Sequence, residues 1–184
     1  MQCWEVWYII WSKWGQIGEN GLENDAPGMN VKGGADMVFF VGEYARQLDE
    51  RGRFILPAKI REKLSGTVYI TKAPLEKCLN LYTEEEWEQI SQKVHQLPSG
   101  IDVNAAKFIR KLFSKALVCE LDKQGRIPLS AKLIKEAGLE KDIVLVGVNN
   151  KLEIWDADLW NKMSAEDDDT DIIIEGIQKY QVYI

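Results

Sequence analysis

The hexapeptide Leu48-Asp49-Glu50-Arg51-Gly52-Arg53 returns 73 residues later as Leu121-Asp122-Lys123-Gln124-Gly125-Arg126. The same offset carries Leu79-Asn80-Leu81-Tyr82 onto Leu152-Glu153-Ile154-Trp155, Thr83 onto Asp156 and Trp87 onto Trp160. A register kept from Leu48 to Trp87 points to a tandem duplication. The chain therefore has to fold as two copies of one small unit, and its 184 residues leave room for little else.

Each copy reads as a β-rich module. A strand with Tyr44, Arg46 and Leu48 on one face runs into the DxxGR sequence. There the Asp accepts backbone N–H groups and the Gly takes the left-handed conformation, which predicts a hairpin turn. Phe54-Ile55-Leu56 continues the chain into Pro57, placed to open a short helix from Ala58 to Leu64. In the second copy Ser130 stands in the N-cap role instead. Val68-Tyr69-Ile70 with Leu79 to Tyr82, and Ile143 to Val148 with Leu152 to Trp155, predict a further hairpin in each copy, turning at Lys77 and at Asn149-Asn150. Thr83 and Glu86 form a capping box for a helix reaching about Gln96, and Asp156 caps its counterpart near Trp160. Trp87 and Trp160 are expected to pack those helices on their sheets. After Pro98-Ser99-Gly100, Asp102 caps a helix with the apolar stripe Val103, Ala106, Ile109, Leu112, Phe113 and Ala116, which joins the copies.

Composition narrows the function. The net charge of −6 speaks against a nucleic-acid partner at first sight, since phosphate neutralisation supplies most non-specific binding. The distribution reverses the impression. Residues 1–36 hold 2 basic and 5 acidic side chains and residues 165–184 hold 1 and 6, leaving 20 basic against 18 acidic between them. Local patches rather than totals set the field a partner meets. Cys3, Cys78 and Cys119 share no metal-ligand or redox spacing. The single histidine, His95, lies in a polar helix pattern, so histidine-dependent triads are excluded, and no phosphate-cradling glycine motif is present. No stretch is long enough to span a bilayer. Neither cofactor nor enzymatic chemistry is expected.

The candidate binding residues cluster at the turns. Arg46, Arg51, Arg53, Lys59 and Arg61 fall within one short segment, and Lys123, Arg126 and Lys135 occupy the second copy. Guanidinium groups on a rigid turn suit bidentate contacts to phosphates or guanine edges. Arg53 and Arg126 equally suit a structural role, pairing with Asp49 and Asp122 to brace the turns. Lys107, Arg110, Lys111 and Lys115 on the joining helix read as a solvated face.

The doubled DxxGR turn with its following helix, together with the run from Val118 through Cys119-Glu120-Leu121-Asp122-Lys123-Gln124-Gly125-Arg126-Ile127-Pro128 to Gly138, resembles the MraZ family of transcriptional regulators. The resemblance covers about Gly42 to Met163. It implies an α+β, mostly β fold of two tandem swapped-hairpin AbrB-like modules with short helices, forming a ring homo-oligomer. It also implies binding to direct repeats in double-stranded promoter DNA, and repression of the chain's own promoter and of the division and cell-wall gene cluster. A cytoplasmic, nucleoid-associated location follows, with no membrane partner. The arginines that AbrB-like proteins use on DNA match Arg46, Arg53 and Arg61. In the second copy Cys119 replaces the first of these, Arg126 keeps the second, and Ile134 replaces the third with Lys135 beside it. Pro128 and Ser130 also depart from the pattern, so the second copy reads as the weaker DNA contact. A ring-forming assembly protein without a DNA role and an AbrB-like antitoxin are the alternatives.

These readings divide the chain into a leader (1–36), a first module (37–100), a linking helix (101–117), a second module (118–164) and an acidic tail (165–184). Trp4, Trp7, Trp11 and Trp14 in the leader share a helical spacing, yet little positive charge accompanies them. Lys32-Gly33-Gly34-Ala35-Asp36-Met37 is encodable as a ribosome-binding site ahead of a start codon, so Met37 is the expected translation start. On that reading the leader's Trp-Glu and Trp-Gly pairs are G-rich operator repeats read as protein. The tail is expected to be disordered or a loosely attached helix.

Overall fold

The computed structural model describes residues 38–166 and 169–181, so the expectations about the tryptophan-containing leader lie outside the described residues. In chain order the elements are β1 (Phe40–Gln47), β2 (Arg53–Ile55), α1 (Ala58–Arg61), β3 (Thr67–Lys72), β4 (Leu79–Thr83), α2 (Glu84–His95), α3 (Val103–Phe113), β5 (Leu117–Glu120), β6 (Arg126–Pro128), α4 (Ala131–Ala137), β7 (Asp142–Asn149), β8 (Lys151–Asp156), α5 (Ala157–Glu166) and α6 (Asp169–Tyr180).

Six strands form one antiparallel sheet in the order β1-β7-β8-β4-β3-β5, and β2 pairs with β6 as a separate two-stranded ribbon. Exchanging each strand for its counterpart in the other copy reverses the order of the six and leaves the sheet unchanged. The duplication has thus produced a pseudo-two-fold axis. It passes through the facing pair Asn80 and Glu153 at the sheet centre and through the facing pair Phe54 and Ile127 in the ribbon.

The DxxGR turns form as the sequence predicts, but the strands leaving them do not pair with each other. From the first turn, β1 goes to β7 of the second copy and β2 goes to β6. The linking bonds obey the same symmetry: Leu56 N–H donates to Gly125 O at 3.0 Å and Leu129 N–H to Gly52 O at 2.9 Å. Each turn is clasped by the other copy, so the two copies form one interleaved body with a shared core. Phe54 and Ile127 from the ribbon, with Leu56 and Leu129 directly after its strands, join Val68, Ile70, Leu79, Leu81, Ile143, Leu145, Leu152 and Ile154 from the sheet in that core.

The repeat slips once. Val68, opposite Cys119 and Thr83, corresponds to Ile143, opposite Arg46 and Asp156, and these two are 75 rather than 73 positions apart. The second copy uses its extra residues on α4, a longer helix ending at left-handed Gly138 (φ 68°). It recovers them with a tighter β7–β8 turn, where Asn149 adopts φ 57°.

Local chemistry sets the helices. Thr83 Oγ1 accepts Glu86 N–H at 3.2 Å, and three glutamates occupy the first turn of α2, where the helix dipole favours negative charge. The capping box is only half made. The Glu86 carboxylate turns away to accept Asn150 Nδ2 at 2.7 Å, tying α2 to the other copy. Asp156 Oδ1 accepts Leu159 N–H at 3.2 Å and Ser130 Oγ accepts Leu133 N–H at 3.2 Å, both as expected. Pro57 opens α1 as its N-cap, with Ala58 the first helical residue, and α1 stops at Arg61 instead of Leu64. Trp87 stacks on Tyr69 with ring centroids 5.1 Å apart, and Trp160 meets Trp155 at 5.6 Å.

The helix capped by Asp102 forms as expected, and no residue of its apolar stripe is buried. Ala106, Ile109 and Leu112 are half-buried, Val103 is 66% exposed, and Phe113 meets the edge of Trp87 at 5.5 Å. In the acidic tail α6 carries exposed Ile173 and Ile174. Among the described residues no helix is long and apolar enough to cross a membrane.

Candidate nucleic-acid interface

The two turns are built alike, atom for atom. Asp49 Oδ1 accepts the N–H groups of Arg51 and Arg53, each at 2.9 Å, and Asp122 Oδ1 accepts those of Gln124 at 2.8 Å and Arg126 at 2.9 Å. The second carboxylate oxygen takes the arginine: Arg53 Nε at 2.8 Å and Nη2 at 2.7 Å on Asp49, and Arg126 Nε at 2.7 Å on Asp122. The bracing role open to these arginines is therefore realised in both copies. The Arg53 guanidinium and backbone N–H donors hold the Asp49 carboxyl down at about 2, and donors from Arg126 do the same at Asp122, also about 2. Asp49 in turn raises the pKa of Arg53.

Register fixes where the braced arginines stand. In the ribbon Arg53 faces Pro128, Ile55 faces Arg126, and Phe54 faces Ile127. Phe54 and Ile127 point into the core, so by strand alternation Arg53, Ile55, Arg126 and Pro128 share the opposite, outward face. Ile55 is 51% exposed there. Ile55 and Pro128 were not among the sequence candidates, although period-2 alternation from Arg53 and from Arg126 was a signal sufficient to find them.

The remaining candidates surround this face unequally. Arg46 Nε donates to Ile55 O at 3.0 Å, and its counterpart Cys119 points its sulfur at Pro128 O at 3.4 Å. Arg61 lies across Gly125 of the other copy, with Nη1 3.4 Å from Gln124 O and its buried Nε without a partner. Its counterpart Ile134 lies across Gly52. Both glycines have positive φ, +69° and +73°, so each turn needs glycine twice over, for backbone conformation and for the close approach of the other copy. Arg51 and Lys123 are exposed at the two turn tips, Lys59 is exposed on α1 and Lys135 on α4. The structure thus gathers Arg46, Arg53, Arg61 and Arg126 at the ribbon, while Lys59 and Lys135 stand on the helices beside it. Cys78 and Cys119 are buried, and burial pushes their thiols up to about 12 and about 11, which removes them as nucleophiles near neutral pH. His95 is exposed at the end of α2.

The fold and site define a class: a tandem α+β repeat, mostly antiparallel strand, whose two copies clasp each other's acidic-basic turns. A family model described as "MraZ protein, putative antitoxin-like" matches residues 39–107 and again residues 112–173. The chain belongs to the MraZ family, and it carries the family's domain twice in tandem.

Proposed function

We propose that this protein is a sequence-specific DNA-binding transcriptional regulator that inserts the β2–β6 ribbon into the major groove of double-stranded DNA. The observation that carries this reading is the outward ribbon face, where Arg53 and Arg126 stand beside Ile55 and Pro128. A two-stranded antiparallel ribbon is one of the shapes the major groove of B-DNA admits. Arginine is the side chain suited to the O6 and N7 acceptors of guanine, and apolar groups such as Ile55 suit a thymine methyl. The aspartate braces do not compete with this role. Each guanidinium carries five N–H donors in a fixed fork, and an arginine already held by a carboxylate loses less freedom on contact. Membership of the MraZ family extends the proposal to repression of the chain's own promoter and of division and cell-wall genes. A homo-oligomeric ring would place several ribbons along one duplex. The exposed apolar residues of α3, Val103 and Phe108 among them, supply surface for such self-association.

The test is fluorescence anisotropy with a labelled duplex from upstream of the chain's own reading frame, against a duplex of the same composition in scrambled order, over a range of salt concentration. Tighter binding to the upstream duplex, with log affinity falling linearly against log salt, is the expected result. Equal binding to both duplexes, or no salt dependence, refutes the proposal.

A further inference from the structure

We infer that the two ends of the ribbon are not equivalent, and that the principal DNA-contacting end is a composite in which Arg126 of the second copy works with Arg46 and Arg61 of the first. The inference rests on the DNA-binding reading above and names the residues that dominate it. It departs from the sequence pattern, in which Arg46, Arg53 and Arg61 of one copy act together and the second copy is secondary.

The pseudo-two-fold axis makes the comparison direct, because every neighbour of Arg126 has a counterpart beside Arg53. Arg46 is bonded to the carbonyl of Ile55, the residue facing Arg126. The counterpart beside Pro128, which faces Arg53, is the buried thiol of Cys119. Arg61 spans Gly125, directly before Arg126, whereas the aliphatic Ile134 spans Gly52, directly before Arg53. The tip next to Arg126 carries Lys123 and Gln124, and the tip next to Arg53 carries Glu50 and Arg51, whose charges cancel. Once each braced pair is counted as neutral, the immediate surroundings of Arg126 hold three positive charges, Arg46, Arg61 and Lys123, and those of Arg53 hold no net charge, since Glu50 offsets Arg51.

The helices at the two ends carry further charge. At the Arg53 end α4 offers Lys132 and Lys135. Glu136 on the same helix is paired with Lys115 at 3.0 Å, which is the main reason it favours its ionised form, and Lys132 adds to that effect only through its charge. At the Arg126 end α1 supplies Lys59, with Glu62 at its C-cap followed by Lys63. The swap of strands between copies is what assembles this end. Without it, Arg46 and Arg61 would flank their own turn and Arg53.

The experiment measures affinity of the full chain for the upstream duplex at one fixed salt, with Arg126→Ala and Arg53→Ala in parallel. Each substitution removes the equivalent brace, Arg53 on Asp49 or Arg126 on Asp122, from one of two turns built alike, so the structural losses are matched and the difference reports DNA contact. Arg126→Ala is expected to weaken binding on the order of tenfold and Arg53→Ala distinctly less. Because either variant could also disturb its turn, the exposed tips give a second comparison that leaves the braces intact. Lys123→Glu should weaken binding and flatten the salt dependence more than Arg51→Glu, which sits at the equivalent tip. Equal losses at the two ends, or a larger loss from Arg53→Ala and Arg51→Glu, overturns the composite end while leaving DNA binding by the ribbon standing. Affinity unchanged in all four variants overturns the DNA-binding reading itself.

Discussion

Gly125→Ala tests the interleaving at its tightest point. Gly125 and Gly52 have nearly the same positive φ, +73° and +69°, so an alanine at either meets the same left-handed penalty of about 1–2 kcal/mol. The difference lies in what the new methyl meets. At position 52 it falls 2.8 Å from Ile134 Cδ1 and 3.2 Å from the carbonyl of Leu129, whose own N–H is bonded to Gly52. At position 125 it overlaps the Cδ of Arg61, with Nη1 at 2.7 Å and Nε at 2.8 Å. Arg61 has a flexible stem and leaves, giving up its packing on the turn and its long contact to Gln124 O. We expect Gly125→Ala to cost about 2–3 kcal/mol in all, the left-handed term plus a cross-copy coupling above about 0.5 kcal/mol. In an Arg61→Ala background the clash is gone, and the same substitution should cost only the left-handed term. Urea unfolding of the four chains, read as shifts in midpoint at constant slope, closes the cycle. Additivity within about 0.3 kcal/mol would show that Arg61 does not sit on Gly125. The argument for a clasped turn, and for the composite DNA-contacting end, would then fail.

Two further predictions concern stability. Phe54 is 1% exposed on the pseudo-axis against Ile127, so Phe54→Ala should destabilise by about 3–5 kcal/mol. A loss under about 1 kcal/mol in denaturant unfolding would show the ribbon is not part of the core. Asp49 and Asp122 titrate at about 2 in the folded chain against 3.8 for an ordinary aspartate. A depressed carboxylate contributes stability in full above its unfolded pKa and loses it as pH falls through the folded one. Stability should therefore decline as pH drops from about 4 to about 2, and the Asp49→Asn/Asp122→Asn chain should show a shallower decline. Parallel acid-unfolding curves for the two would refute the brace.

Much of this architecture was legible in the residues. The duplication gave the turns, since Asp and Gly at fixed places in both hexapeptides leave few other conformations. Thr83, Ser130, Asp102 and Asp156 announced their helices because short oxygen-bearing side chains satisfy orphan N–H groups locally. What local chemistry could not reveal was partner choice. Both copies carry the same turn and similar apolar strands, so pairing within a copy and pairing between copies satisfy the same pattern. The crossing of β2 to β6 decides which arginines become neighbours, and for that reason the grouping of Arg46 and Arg61 with Arg126 was hidden. The α3 stripe announced a helix but not its surroundings: amphipathicity records which face is apolar and not whether anything in the same chain covers it.

Interleaving also dictates the order of events as the chain is made. Gln47 meets Asp142 across 95 residues of sequence, and every strand of the first copy but the β3–β4 hairpin waits for a partner from the second. A ribosome that has finished only the first copy therefore holds a segment with unpaired strand edges and an uncovered Phe54. Closing loops of that length is slow, because ordering entropy is spent before the distant contacts form. During synthesis a neighbouring chain that has already made its second copy offers the same partner strands, β6 and β7, as those still to emerge. Exchange of whole copies between nascent chains on one polysome is thus a built-in competitor to correct folding.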